Sequence, residues 1–348
     1  MANHNKGLPE ENNPSKIYYL KKACPGISRK KVGQSFTYCE ANGERVMEPD
    51  ELARIKSLVL PPAWRNVWIS PYPNSHLQAT GIDARGRKQY RYHPEWNKKR
   101  SETKFSMLTT FARTLPKLRR EIESHLRDRG IHKQKVIALV IDLMSKSYIR
   151  IGNANYAKEN GSYGLTTLRN KHIDIHGDTI RFAFIGKEGV PQDIELHDRK
   201  LARILKSCKD IPGQELFQYF DAEGNKCCID SGDINSYLHE ICGEGFSAKD
   251  FRTWAGTLYA FKSLCQLPVP LSETEFKRAS VEVVKSVSKV LGNTPTVCRK
   301  YYIHPILLEA FQKGELAQLY KGHNKMHNTG YEALEEKMLI AFLEKKAA

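Results

Sequence analysis

Five side chains in this 348-residue chain have the types needed to act on an anion: Arg150, Lys187, Arg252, Asn293 and Tyr302. Arginine and lysine neutralise phosphate oxygens, an amide donates hydrogen bonds to them, and a phenol becomes a nucleophile once activated. Arg150 lies in Tyr148-Ile149-Arg150-Ile151-Gly152-Asn153-Ala154-Asn155-Tyr156, where an apolar helix gives way to a Gly- and Asn-rich loop. There a side chain can point into a cleft. Lys187 sits between two glycines in Gly186-Lys187-Glu188-Gly189, at the tip of a hairpin, from which a long side chain reaches far. Lys249-Asp250-Phe251-Arg252 places Lys249 one helical turn before Arg252. Leu291-Gly292-Asn293-Thr294-Pro295 precedes Tyr301-Tyr302-Ile303-His304-Pro305. Singly, each segment has an ordinary explanation. An arginine at a helix end is a solvated cap, a lysine at a hairpin tip is surface charge, and a tyrosine near proline is core or turn.

Two kinds of element must carry these residues. Residues 17–100 read as β-rich, with short alternating segments such as Ser35-Phe36-Thr37-Tyr38 and Val67-Trp68-Ile69. The turn signals between them are Asn42-Gly43, Pro61-Pro62 and Gly81-Ile82-Asp83. Pro49-Asp50 starts one short helix carrying Leu52, Ile55 and Leu58. Residues 97–104 are charged, lack an apolar period and read as a linker. From about Lys104 the period becomes helical, with Leu108, Phe111, Leu115 and Leu118, then Val136 to Met144. The segments 172–175, 179–185 and 193–196 alternate around Gly177 and Gly186, which predicts a three-stranded meander. Helices resume at Arg199, Ile234, Ala248 and Glu273, and a last one spans residues 331–345. The expected division is a polar tail over 1–16, a β-rich domain over 17–100 and a mainly helical domain over 101–348, an α+β fold.

Composition bounds the function. Fifty-five Lys and Arg against 39 Asp and Glu give a net charge of +16, and about half of that excess lies in the first 103 residues. A surface of this kind attracts polyphosphates by long-range attraction and counterion release. No apolar run is long enough to span a membrane, and Met1 to Lys16 has no apolar stretch of a secretory signal. The eight cysteines contain no CxxC pair, and His239 with Cys242 finds no second ligand pair for zinc. Reduced thiols in a cytoplasmic protein are the simple reading.

The order and spacing of the five residues set the ordinary explanations aside. From about residue 30 to 345 the chain resembles the type IB DNA topoisomerases, in their compact bacterial and poxvirus-like branch. The stretch from Arg150 to Ile173, with Lys158-Glu159-Asn160 and Thr166-Thr167-Leu168, is specific to that branch. Arg150 and Lys187 have the spacing of its first Arg and hairpin Lys, Lys249-Asp250-Phe251-Arg252 matches its second-Arg box, and Asn293 lies nine positions before Tyr302. The resemblance implies two lobes closing on duplex DNA as a C-shaped clamp, with residues 97–104 as hinge. Arg150 and Arg252 would clamp the non-bridging oxygens of a phosphodiester, and Asn293 would donate to the same oxygens. Where relatives carry His, this amide does not titrate. Lys187 would protonate the departing 5′ oxygen, with Lys249 supporting that transfer. Tyr302 would attack and hold the 3′ phosphate as an ester, with Tyr301 the minority candidate. The ester retains the energy for resealing, so no ATP, metal or other cofactor is expected. Gln89, Tyr90 and Tyr92, on a strand where Tyr90 and Tyr92 share one face, would touch DNA near the cut, as would Tyr156. The expected protein is a monomer of the cytoplasm, in the bacterial nucleoid, acting by preference on supercoiled duplex.

Two rival readings stand beside it. Tyrosine recombinases share the Arg, Lys, Arg, Tyr set, but usually carry His-x-x-Arg where this chain has Lys249-x-x-Arg252, and their N-terminal domains are helical. A DNA-binding protein that kept only the fold would not need competent residues at all five positions.

Overall fold

The structure is a computed structural model, and it describes residues 17–20, 24–320 and 331–347. The 1–16 tail lies outside the described residues. The chain divides into two compact units, residues 1–104 and 105–348.

Among the described residues, the first unit is built on an antiparallel sheet of five strands. These are β1 (Ile27–Val32), β2 (Ser35–Cys39), β3 (Arg65–Ile69), β4 (Leu77–Ile82) and β5 (Lys88–Tyr92), in the order β2-β1-β3-β4-β5. Helix α1 (Pro49–Ser57) has Pro at its first turn, where no N–H is needed. Its Ile55 is buried with Ile27, Val67, Ile69 and Ala79 in one apolar core. The expected turn at Gly81-Ile82-Asp83 is corrected. Gly81 and Ile82 belong to β4, and the turn runs from Asp83 to Arg87. Gly81 is there for close approach: a Cβ on it would lie 2.6 Å from Cε3 of Trp64. The charged segment 97–104 is also corrected from an aperiodic linker to helix. It lies in α2 (Pro94–Ser106), opened by Pro94 and Glu95. Phe105 is the only buried residue of that helix, so it has no apolar stripe for the sequence to display, and its Lys, Arg and Glu are good helix formers.

The second unit is mainly helical. Helix α3 (Leu108–Arg127) buries Leu108, Phe111, Leu115, Leu118, Ile122 and Leu126 at helical spacing. It packs on α4 (Lys133–Ser147), which is buried along almost its whole length from Lys135 to Met144 and forms the centre of the core. After a loop comes α5 (Ala154–Asn160), so the Asn-rich segment is itself partly helical, capped by Asn153, which accepts from the N–H of Tyr156. The meander follows as β6 (Ile173–His176), β7 (Thr179–Ile185) and β8 (Pro191–His197), antiparallel in sequence order. Next are α6 (Arg199–Lys209), the small hairpin β9 (Gln218–Phe220) and β10 (Lys226–Cys228), and α7 (Ser231–Cys242). Helices α8 (Ala248–Cys265), α9 (Glu273–Leu291), α10 (Pro295–Tyr301), α11 (Pro305–Gln312), α12 (Glu315–Tyr320) and α13 (Tyr331–Ala347) complete it. Leu339 and Phe342 of α13 join the same core. No helix among the described residues is long and apolar enough to cross a membrane.

Candidate active site

Three helix ends build the site. Helix α4 stops because Tyr148 adopts a left-handed conformation, φ 56°, which turns the chain outward at Arg150. The loop is pinned from behind: the carbonyl of Arg150 accepts from Leu165 N (2.8 Å), and that of Ile151 from Thr166 N (2.7 Å) and Oγ1 (2.9 Å). Gly164 makes this possible, since a Cβ there would lie 2.5 Å from the Arg150 carbonyl. Helix α9 stops at Gly292, also left-handed, and Asn293 follows, its N–H returned to the Ser288 carbonyl at 3.1 Å. Helix α8 starts at Ser247, whose N–H and hydroxyl both donate to the Asp250 carboxylate (2.8 and 3.0 Å). That cap fixes the turn from which Arg252 projects.

Arg252 is 5% exposed. Its two terminal nitrogens donate to the carbonyl of Tyr148 and to that of Leu291, the latter at 2.6 Å. It therefore stitches together the C-terminal ends of α4 and α9, where helices leave carbonyls without partners and carry partial negative charge. Its guanidinium carbon lies 5.4 Å from the centre of the Tyr302 ring, and the two side chains are hydrogen-bonded. Burial, and then repulsion from Arg150, pull the Arg252 pKa below its ordinary value, against the attraction of Tyr302. Arg150 donates to the Gly292 carbonyl (3.2 Å) and to Oδ1 of Asn293. Neither arginine forms an ion pair with a carboxylate among the described residues. Two N–H groups here are buried without partners: Nε of Arg252 and Nδ2 of Asn293. Unpaired buried donors are costly, and an added acceptor would relieve both. An anion of phosphate chemistry fits that demand.

Tyr302 is placed by residues that spacing alone did not reveal. Gly256, one helical turn beyond Arg252, lets the chain close on α8: a Cβ on it would lie 2.6 Å from the Tyr302 carbonyl and 3.1 Å from Tyr302 Cβ. Buried Thr257 donates its hydroxyl to that carbonyl (3.2 Å) and accepts from His304 N (3.2 Å). A glycine inside a helical run signals close approach, so Gly256 was findable. Thr257 carried no such signal. His304 caps α11 by accepting from Ile306 N at 3.3 Å, and burial lowers its pKa to about 4, which keeps it neutral in that role. Cys298 is buried on α10, and burial pushes its thiol up to about 11. Tyr301, the neighbouring residue, is 36% exposed, its ring 5.3 Å from Lys300 Nζ.

The structure thus gathers Arg150, Arg252, Asn293 and Tyr302, and leaves two expected residues apart. Lys187 is exposed at the β7–β8 tip, without a hydrogen bond or ion pair among the described residues. The tip is nevertheless tethered: Tyr163 N donates to the Ile185 carbonyl (2.8 Å), next to the Arg150 loop. The Gln192 side chain lies between Gly186 and Gly292, each of whose hypothetical Cβ atoms would approach it within 3.0–3.1 Å. Lys249 is exposed on the first turn of α8, and among the described residues no hydrogen bond or ion pair ties its ammonium to the other four. In the first unit, Tyr90 is 49% exposed and stacks on Tyr92, ring centres 6.1 Å apart, so that face of β5 is not core. Gln89 shares its strand and bonds to Asp83. Tyr156 is exposed on α5. Among the described residues no group of three or more His, Cys, Asp or Glu is arranged to hold a metal ion.

A two-unit molecule with a tyrosine beside two uncompensated arginines can now be set against known proteins. Residues 93–329 match the family described as "Eukaryotic DNA topoisomerase I, catalytic core", and residues 35–83 match "Bacterial DNA topoisomerase IB, N-terminal domain". The mimivirus protein named DNA topoisomerase 1B is 32% identical over 305 residues, covering 85% of this chain and 90% of its own. The vaccinia virus (strain Copenhagen) protein of the same name is 27% identical over 245 residues, 68% of this chain and 72% of its own. The chain belongs to the type IB DNA topoisomerases, and is an isomerase acting on DNA.

Proposed function

We propose that this topoisomerase relaxes supercoiled duplex DNA by cutting one strand through Tyr302, letting the duplex rotate, and resealing it. The two buried, unpartnered nitrogens, Nε of Arg252 and Nδ2 of Asn293, carry this reading, beside the Tyr302 ring and an Arg150 that has no carboxylate partner among the described residues. A phosphodiester entering the cluster supplies the missing acceptors. As the Tyr302 oxygen gives up its phenol proton to solvent and bonds to phosphorus, charge builds on the non-bridging oxygens, and donors already in place stabilise it without reorganising. Nε of Arg252 has no partner, so Arg252 offers that bond, and Arg150 and Asn293 add theirs. The P–O5′ bond breaks, and Lys187, swung in from its hairpin, gives O5′ a proton. The 3′-phosphotyrosyl ester is then attacked by the 5′ hydroxyl in reverse. Lys249 supports the transfer from the start of α8. Both units contact the duplex, through Gln89, Tyr90 and Tyr92 on β5 and Tyr156 on α5. One such site completes the cycle, so the working unit is a monomer, acting in the cytoplasm.

Incubation with supercoiled plasmid, without ATP or Mg²⁺, should give topoisomers that differ by successive single steps in linking number. Absence of relaxation, or products formed only between paired specific sites, would overturn the proposal, the second outcome in favour of a recombinase.

A further inference from the structure

We infer that Gln192 is a positioning residue for the proton donor: its side chain, wedged between Gly186 and Gly292, seats the Lys187 turn against the helix end that carries Asn293. This rests on the reading of Lys187 as the group that protonates the leaving O5′.

Lys187 has no hydrogen bond or ion pair among the described residues. Its reach to a phosphate therefore depends on where the backbone of its turn stands. Gly186 N donates to the Val190 carbonyl (2.8 Å) and Gly189 N to that of Gly186 (3.1 Å). Those bonds shape the turn without attaching it to the rest of the unit. Attachment comes from two sides. On one, Tyr163 N donates to the Ile185 carbonyl (2.8 Å), beside Gly164 at the back of the Arg150 loop. On the other stands Gln192, opposite Phe184 in the β7–β8 ladder.

Two glycines record the second attachment. A Cβ on Gly186 would lie 3.0 Å from Cγ of Gln192, and one on Gly292 would lie 3.1 Å from its Oε1. Gly292 also needs its freedom for a left-handed φ of 57°. Gly186 does not, since its φ of −88° is extended backbone that any residue adopts. Gly186 thus leaves room for the Gln192 stem. The Gln192 amide nitrogen donates to the Val190 and Pro191 carbonyls (3.5 and 3.2 Å), so the side chain is braced on its own hairpin and meets the end of α9 by shape. That end holds the Gly292 carbonyl, to which Arg150 donates, and then Asn293. One side chain therefore spans from the turn bearing the donor to the segment bearing the phosphate-holding groups. When the P–O5′ bond breaks, the bonding pair stays on O5′ and takes the proton from Lys187 Nζ. Resealing returns that proton to Lys187 as O5′ attacks phosphorus and the Tyr302 oxygen leaves. Both directions need the same placement, and a misplacement of about 1 Å is enough to cost rate.

The test is single-turnover cleavage and resealing by Gln192→Ala, with cleavage also measured on a duplex carrying sulfur at the bridging 5′ position. On oxygen, both rates should fall about tenfold, leaving the balance between cut and sealed DNA unchanged. On sulfur, cleavage should match the wild type, because a thiolate leaves without a proton. Added to Lys187→Ala, the second substitution should cost nothing more. Wild-type rates on oxygen, a defect that persists on sulfur, or losses that multiply with those of Lys187→Ala overturn the inference and leave Lys187 as the acid. A Lys187→Ala defect that sulfur does not relieve overturns the acid reading and this inference with it. Should Gln192→Ala fail to fold, Gly186→Ala decides, since its methyl group presses on the same stem. A loss relieved by sulfur supports the inference, and any other result overturns it.

Discussion

Arg252 and Lys187 are cations of the same unit, proposed to act on the same phosphodiester, and the fold treats them in opposite ways. Arg252 is buried, with its terminal nitrogens fixed to the ends of two helices. Lys187 stands exposed on a turn, without a hydrogen bond or ion pair among the described residues. The difference matches the work proposed for each. A group that stabilises developing charge must be in place beforehand, because reorganisation during the reaction would cancel its benefit. A proton donor needs its place only when the leaving oxygen is there, and a buried free lysine would lose its proton through desolvation. The tether of Gln192 and Tyr163 holds the hairpin beside the α9 end without fixing the lysine itself.

The contrast can be broken from either side. Arg252→Ala should cost the most, about 10³-fold in single-turnover cleavage. It should also lower the melting temperature, because the Tyr148 and Leu291 carbonyls lose their donor. Lys187→Ala should cost about 10²-fold with no change in melting temperature. Its defect should largely vanish on a substrate with sulfur at the bridging 5′ position, since a thiolate leaves without a proton, and a defect that persists with sulfur would deny Lys187 its acid role. Gly256→Ala should have the smallest effect, about tenfold, by pushing the Tyr302 backbone off α8 by under an ångström. Unlike Lys187→Ala, it should not be rescued by sulfur. Equal thermal losses for Arg252→Ala and Lys187→Ala would erase the distinction.

Much of this was legible in the chain itself. Periodicity revealed α3 and the meander, because each buries one face, and a nearly continuous apolar run revealed α4, which is buried all round. Helix α2 was missed for the opposite reason, since a helix that buries only Phe105 writes no period. Gly81 looked like a turn because a glycine that frees the backbone and one that admits a neighbouring ring, here Trp64, are the same letter. The five candidate residues were visible through spacing that resembles a family. What spacing could not show was commitment: the arginines' bonds to helix ends, the Thr257 bridge behind Tyr302, and the Asp83 grip on Gln89 are contacts between segments distant in sequence or invisible to its pattern.

Tyr302, held against Arg252, is the residue proposed to become joined to DNA, and its exposed neighbour Tyr301 is not. The direct measurement is to denature the enzyme in the act of cleaving a labelled duplex, digest it with protease, and locate the nucleotide-bearing residue by mass spectrometry. The label should sit on Tyr302, remain there in Tyr301→Phe and disappear in Tyr302→Phe. A covalent adduct formed by Tyr302→Phe, or a label on Tyr301 in the wild type, would contradict the account.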